Sequence, residues 1–285
     1  MPAMNIGVLH PGAMGATVAQ TLLDSGHQVG WVSSQRSAET QRRAAGLQSF
    51  ASLDEIAGWA DALISVCPPH GALDLAQAVH GTGFTGLYVD ANALAPSTSQ
   101  KISEILGVGA YVDGGIIGPP ALKPGTTRLY LSGHYAPTVS AWFSTGSLQA
   151  IALPMRDDPD AQVAASMLKM AYAAYSKGAS ALLLSVNALA EAGGVGEALH
   201  QEWAISAPDL LKRSEYTAAA TSGKAWRFAG EMLEISETYS NAGLPDSFHA
   251  AAAAIYGRMQ ELKDLPPQTL DAVVAALLEQ TEEDC

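Results

Sequence analysis

Ile6-Gly7-Val8-Leu9-His10-Pro11-Gly12-Ala13-Met14-Gly15 is the stretch on which the fold turns. Its first four residues form a short apolar run of strand character, and a glycine-bearing turn follows. From about Ala13 to Ser25 the apolar spacing is that of one helix, with Gly26 placed to supply a left-handed stop. Gln28-Val29-Gly30-Trp31-Val32 then starts a second strand, which completes a compact βαβ unit. In such a unit Gly12 lets the backbone approach a pyrophosphate at the helix N-terminus, and Gly15 lets the helix pack closely on the sheet. The pattern departs from GxGxxG at its first position, where His10 stands.

Beyond the second strand the chain reads Ser33-Ser34-Gln35-Arg36-Ser37 and lacks the carboxylate that would hold the adenosine 2′-hydroxyl of NAD. The hydroxyls of Ser33, Ser34 and Ser37 together with Arg36 suit a 2′-phosphate, which points to NADP(H). The bland alternative is a solvated loop with a helix-capping serine. Arg42 and Arg43 read as solvated helix residues. Two further segments follow strand-like runs: Val66-Cys67-Pro68-Pro69-His70 after 62–66, and Asp90-Ala91-Asn92 after 87–89. Both lie at carboxyl ends, where an open α/β sheet takes its ligand. The cofactor-binding candidates are therefore His10, Pro11, Gly12, Ala13, Met14, Ser33, Ser34, Arg36, Ser37, Cys67, Pro68 and Asn92. Asn92 is placed to contact either the nicotinamide ribose or the reacting substrate.

After about Leu153 the rhythm changes. Asp158 can cap a helix with Pro159 in its first turn, and no further proline occurs until Pro208. Ending at Gly193-Gly194, this helix would have about 34 residues and a length of about 50 Å, long enough for an interdomain spine. The remainder is Ala- and Leu-rich with helical spacing from Trp226 to about Asn241, Ser247 to about Lys263 and Gln268 to Thr281. Ala250 through Ala254 would permit close helix approach, in an internal core or at a subunit interface. The expected fold is α/β, a doubly wound sheet of Rossmann type (1–156), joined by a long interdomain helix (157–194) to an all-helical domain (195–285).

Composition narrows the function. The 285 residues carry 15 Lys and Arg against 28 Asp and Glu, a net charge of −13 that would repel a nucleic-acid backbone. Glu279, Glu282, Glu283 and Asp284 read as a solvated acidic tail. No apolar run is long enough to cross a bilayer, and the N-terminus has neither a basic leader nor an apolar signal core, so a cytoplasmic protein is expected. Cys67 and Cys285 make no disulfide framework, and the seven histidines show no metal-binding spacing. His200 near Glu202 reads as a helix-surface pair.

Gly12-Ala13-Met14-Gly15, Gly26-His27-Gln28-Val29, Asp90 through Pro96, Asp113-Gly114-Gly115-Ile116-Ile117-Gly118 and Gly125-Thr126-Thr127 together give the chain a resemblance to a known family. It resembles the β-hydroxyacid dehydrogenases, which include 3-hydroxyisobutyrate and 6-phosphogluconate dehydrogenases and have imine reductases as close relatives. The resemblance implies a homodimer joined through helical domains and a catalytic lysine on the long helix, matched here by Lys169. Hydride arriving at a carbonyl carbon leaves an alkoxide, and a partly buried lysine can supply the proton or a fixed positive charge. A lysine snorkelling from an apolar helix is the bland alternative.

The chain departs from the family's pattern at Ala173, where asparagine is frequent, and at Ile117, where a substrate-binding serine is frequent. Substrate-binding candidates are Asn92, the Gly114 and Gly115 backbone, Ile117, Tyr172, Arg227, Glu231 and His249; Tyr175 and Lys177 are nearby sources of polar contacts. For Arg227 and Glu231 an intrahelical ion pair is the alternative. The expected activity is NADPH-dependent interconversion of a hydroxy acid, or related alcohol, and its oxo form. Imine reduction on the same scaffold, non-catalytic NADP binding, and decarboxylation following oxidation stay open at this point.

Overall fold

The structure, a computed structural model, describes residues 2–155 and 162–279. Its strands and helices run β1 (Asn5–Leu9), α1 (Ala13–Asp24), β2 (Gln28–Val32), α2 (Ala38–Arg43), β3 (Gln48–Phe50), α3 (Leu53–Trp59) and β4 (Ala62–Ser65). There follow α4 (Ala72–Gly81), β5 (Leu87–Asp90), α5 (Pro96–Leu106), β6 (Tyr111–Ile117), β7 (Thr127–Ser132), α6 (Ala136–Ser140) and β8 (Leu148–Ala152). The remainder is helical: α7 (Ala164–Ala192), α8 (Gly196–Ser206), α9 (Leu210–Thr221), α10 (Ala225–Asn241), α11 (Ser247–Gly257) and α12 (Leu270–Leu278). Two compact units divide the chain, Met1–Met170 and Ala171–Cys285, so the divide falls inside α7 and not at either of its ends.

In the first unit all eight strands join one sheet in the order β3-β2-β1-β4-β5-β6-β7-β8. Strands β1 to β6 run parallel; β7 is antiparallel to β6, and β8 is parallel to β7. The fold is the expected Rossmann-type doubly wound sheet followed by helices. Strand order reverses between β1 and β4, which opens a crevice at the carboxyl ends of these strands.

Side-chain alternation divides the core. Ile6, Val8, Ile64, Val89, Val112 and Leu129 face the side covered by α1 and α6. Leu9, Leu63, Tyr88 and Tyr111 face the other side, with Ile56, Ala76 and Ile102 of α3, α4 and α5. Helix ends follow local chemistry. Ser52 caps α3, its Oγ accepting the Glu55 N–H, and Glu55 accepts the N–H of the preceding Ala51. Gly26 takes φ +88 after α1, as expected.

Helix α7 has 29 residues, about 44 Å at 1.5 Å per residue. Its first residue is Ala164; the expected cap at Asp158 and Pro159 lies outside the described residues, as do Glu282, Glu283, Asp284 and Cys285. It closes as expected at the glycine pair, Gly194 taking φ +68 and the Val195 N–H reaching back to the Ala190 carbonyl.

Within the second unit, Tyr256 is fully buried and donates its hydroxyl to the Lys177 carbonyl at 2.8 Å. Asn187 bonds Ser214 Oγ at 3.1 Å and His200 Nε2 at 2.9 Å, tying α7, α8 and α9 together. His200 thus does not make the expected surface pair with Glu202: its ring turns inward to Asn187 and stacks beside Trp203. Helix α11 is shorter than its sequence spacing implied, giving way to a 3-10 turn at Gln260–Leu262, and the expected end of the last helix at Thr281 lies outside the described residues. No described helix is long and apolar enough to cross a membrane. Among the described residues no group of three or more His, Cys, Asp or Glu is placed to hold a metal ion.

Candidate functional site

At the end of β1 the chain turns with His10 at φ +68, and the His10 carbonyl accepts the Gly12 N–H at 2.7 Å. A non-glycine residue in this region is uncommon, and here it stands where the fingerprint ordinarily has its first glycine. Gly15 has no freedom to be anything else: a Cβ on it would overlap the His10 carbonyl oxygen and lie 3.5 Å from Val66 Cβ. Gly12, at the N-cap of α1, has open space where its Cβ would be. The helix therefore presses against the turn at Gly15, and its N-terminus stays uncovered at Gly12. Pro11 is buried, and Ala13 and Met14 are half-buried in the first turn.

From the end of β2, Ser33 turns back onto the sheet, its hydroxyl donating to the Phe50 carbonyl and accepting from Ser49 Oγ. Ser34 is exposed, and Gln35 takes φ +56. Ser37 is the helix cap of the bland reading, accepting the Thr40 N–H at 3.2 Å. Arg42 and Arg43 are exposed, and Arg43 pairs with Glu39. Arg36 differs from these: it is half-buried, and its Nε is buried without a hydrogen-bond partner. Burial lowers its pKa, and the same residue bears electrostatically on His10 and Cys67. Side chains from the ends of β2, β1 and β4 thus converge on one edge of the sheet. His10 is pushed down to about 4 by burial and by the neighbouring Arg36 charge, and its Nδ1 is buried and unpartnered.

Behind this edge lies a buried polar layer on the α5 face. Asn92 is 3% exposed; its Oδ1 accepts the Cys67 N–H at 2.5 Å, and its Nδ2 donates to Ser65 Oγ at 2.9 Å. Direct contact with a ligand was expected of Asn92, but its amide is engaged in fixing the 66–68 segment. Pro68 is exposed beside it. Burial raises the Cys67 thiol to about 11. Asp90, fully buried, is raised to about 7 by burial, with Asp113 adding to the effect and the Asn92 N–H opposing it.

Asp113 is the hub of the layer. Its carboxylate accepts Ser132 Oγ at 2.9 Å, the Ser166 N–H at 2.8 Å and Ser166 Oγ at 2.5 Å. Burial still raises its pKa despite these bonds. None of Asp90, Asp113, Ser132 and Ser166 was singled out from the sequence as part of a network. The available signal was an aspartate in each of two consecutive buried strands, Asp90 at the end of β5 and Asp113 inside β6.

Lys169, half-buried, donates its Nζ to the Ile116 carbonyl at 2.9 Å. Its approach depends on Gly115, where a Cβ would lie 2.7 Å from the Ala165 carbonyl oxygen and 2.9 Å from Lys169 Cβ. Gly114 is as tightly enclosed, since a Cβ there would lie 2.7 Å from the Asp90 carbonyl oxygen. Gly114, Gly115 and Ile117 were expected at the substrate; all three are buried in the β6 ladder, where packing accounts for their size. Lys169 thus lies against β6, with Gly115 serving the approach of α7 and Gly114 the packing against Asp90, Ala91 and Leu129.

In the second unit Tyr172 is 54% exposed and Tyr175 is exposed, whereas Glu231 pairs with Lys177 and not with Arg227. Arg227 is exposed and lies over the Trp226 ring at 5.0 Å. His249 is buried, 4.1 Å from the Tyr239 ring, with its Nδ1 unpartnered. Glu231 thus makes an ion pair between α7 and α10, where an intrahelical pair with Arg227 was the alternative to a substrate contact.

Residues 190–259 match the family described as Domain of unknown function (DUF1932). Over 194 residues the chain is 28% identical to an uncharacterized 28.5 kDa protein in the 7S RNA 5′ region of Methanothermus fervidus, covering 67% of this chain and 73% of that protein. Among solved structures, the conserved protein MTH1747, described as structurally similar to 3-hydroxyacid dehydrogenases, aligns with TM-score 0.64 and 24% identity over 91% of this chain and 98% of its own. The 3-hydroxyisobutyrate dehydrogenase of Mycobacterium tuberculosis, solved with L-serine, aligns with TM-score 0.64 and 14% identity over 98% of this chain and 100% of its own. The chain thus shares the fold of the solved 3-hydroxyisobutyrate dehydrogenase and of MTH1747.

Proposed function

We propose that the protein is an NADP(H)-dependent oxidoreductase that interconverts a hydroxy acid, or a related alcohol, and its oxo form. The observation that carries this reading is the edge formed by His10, Gly12 and Arg36. An open helix N-terminus suits a pyrophosphate, and a half-buried arginine with an unpartnered Nε stands where an NAD enzyme would carry a carboxylate. The donor set fits the group. The Gly12 turn and the first turn of α1 would hold the pyrophosphate, Arg36 the 2′-phosphate, and the 66–68 segment braced by Asn92 would border the nicotinamide side.

Bound NADP(H) supplies or accepts the hydride. Lys169 holds the proton at Nζ, giving it to the forming alkoxide in reduction and taking it from the hydroxyl in oxidation. Its bond to the Ile116 carbonyl orients the ammonium group before substrate arrives. The substrate is a small carbonyl or hydroxy compound, and Tyr172 is the exposed polar group nearest along α7.

The active form is a homodimer. Helix α8 buries none of its residues, and Leu182, Leu189, Val195 and Ile205 are 50%, 74%, 53% and 82% exposed, an apolar surface suited to a second copy. Light scattering that finds only monomer would exclude this part.

Calorimetric titration with NADPH and NADH, on wild type and Arg36→Ala, tests the cofactor. Tighter NADPH binding that is largely lost in Arg36→Ala is the expected result; binding of neither nucleotide overturns the reading. A screen of 3-hydroxy and oxo acids, with Lys169→Ala as control, tests the reaction. Turnover of a ketone only when an amine is added would reassign the substrate as an imine.

A further inference from the structure

Position 10 is the unusual member of the dinucleotide loop. Backbone at φ +68 ordinarily calls for glycine, yet the chain places an imidazole there, with Nδ1 buried and unpartnered. The side chain close enough to act on it electrostatically is Arg36, whose Nε is likewise buried and unpartnered. The two come from the ends of adjacent strands, β1 and β2. In this class of sheet the group following the second strand reads the adenosine 2′ position. Buried polar atoms without partners cost free energy until something completes them. Both incomplete groups here are nitrogens, and one carries a positive charge. A phosphomonoester satisfies both, whereas a ribose hydroxyl leaves the charge unmatched.

We propose that His10 and Arg36 together hold the 2′-phosphomonoester of the nucleotide, with His10 as a specificity-determining residue; this rests on the reading of the loop as an NADP(H) site. In the free protein burial and the Arg36 charge keep His10 neutral, against a smaller opposing pull from the Leu9 backbone. A phosphate dianion beside Arg36 cancels the repulsion and favours the imidazolium. His10 then takes one proton from solvent and donates it in a hydrogen bond to a phosphate oxygen. Cys67, the other titratable group near Arg36, stays protonated because burial raises it to about 11. Since the second phosphate ionisation falls at about 6, the uptake is clearest at about pH 7, where the ligand arrives mostly as the dianion.

The full chain is titrated calorimetrically at about pH 7 with NADP+, NAD+ and adenosine 2′,5′-bisphosphate, in two buffers of different ionisation enthalpy. NADP+ and the bisphosphate are expected to take up protons on binding, and NAD+ is not. His10→Gly suits the left-handed turn, and His10→Gln keeps a neutral polar side chain. Both are expected to show no proton uptake on binding NADP+ and to lose roughly tenfold in the ratio of NADP+ to NAD+ affinity. NADP+ binding with a buffer-independent enthalpy, or an unchanged preference in both variants, overturns this inference while leaving the cofactor reading intact. Binding of neither nucleotide by wild type overturns both.

Discussion

Replacing Gly115 with alanine would set a Cβ 2.7 Å from the Ala165 carbonyl oxygen and 2.9 Å from Lys169 Cβ. Ordinary contact begins at 3.4 Å, so the start of α7 must retreat from β6 by about 0.7 Å, the difference between 3.4 and 2.7. Backbone is the obstacle, and it has no rotamer to change. Overpacking of this kind costs about 1–3 kcal/mol. The same retreat draws Lys169 Nζ away from the Ile116 carbonyl, and misplacement on this scale can cost about 10–100-fold in turnover. Gly58→Ala is the matched control. Gly58 lies inside α3 with open space where its Cβ would be, so alanine there should stabilise by about 0.5–1 kcal/mol. Urea unfolding of both variants, with nucleotide titration of each, reads the outcome. If Gly115→Ala unfolds within about 0.5 kcal/mol of wild type, α7 does not press on β6 as described.

Two further predictions concern buried charge. Asp90 is raised to about 7 in the folded chain from an ordinary 3.8, so between these values the folded state holds a proton that the unfolded state has lost. Its stabilising contribution is full below about pH 4 and is lost as pH rises through about 7, with a slope of up to about 1.4 kcal/mol per pH unit. His10, lowered to about 4, contributes with the opposite sign over part of that window, so the difference between wild type and Asp90→Asn across the range is the quantity to follow. A difference that does not change with pH would show Asp90 ionised throughout. Lys177→Met should destabilise by about 2–3 kcal/mol because it removes the cation from the mostly buried Glu231 carboxylate, whereas Lys177→Met with Glu231→Leu should recover most of the loss. Equal stability of the single and double variants, measured by denaturant unfolding, would show that the pair is not desolvated.

Much of the sheet unit was legible because its strands are buried on both faces and its turns carry glycine at defined offsets. Gln48-Ser49-Phe50 escaped reading since three residues, two of them polar, carry no period. β8 escaped because nothing in Leu148–Ala152 separates an edge strand from a loop. At the candidate site the sequence pointed to His10, Gly12, Gly15 and Arg36, whose places depend on short-range chain geometry, and to Lys169 through the family resemblance. It did not show that Asn92, Gly114, Gly115 and Ile117 are buried, since the choice between lining a cleft and packing beneath it is made by elements distant in the chain. The Lys177–Glu231 pair was missed for the same reason: 54 residues separate its partners, and Arg227 was the nearer cation in sequence.

Asp113 governs more than electrostatics. The Ser166 N–H donates to its carboxylate, and the Ala165 N–H donates to Ser132 Oγ, so amides in the opening turn of α7 are answered by residues of β6 and β7. A helix end is normally where fraying begins; this end has been handed to the sheet. The opening turn of α7 has these partners only where β6 and β7 are paired, so its protection is coupled to that pairing. Hydrogen exchange at Ala165 and Ser166 would then keep time with the sheet.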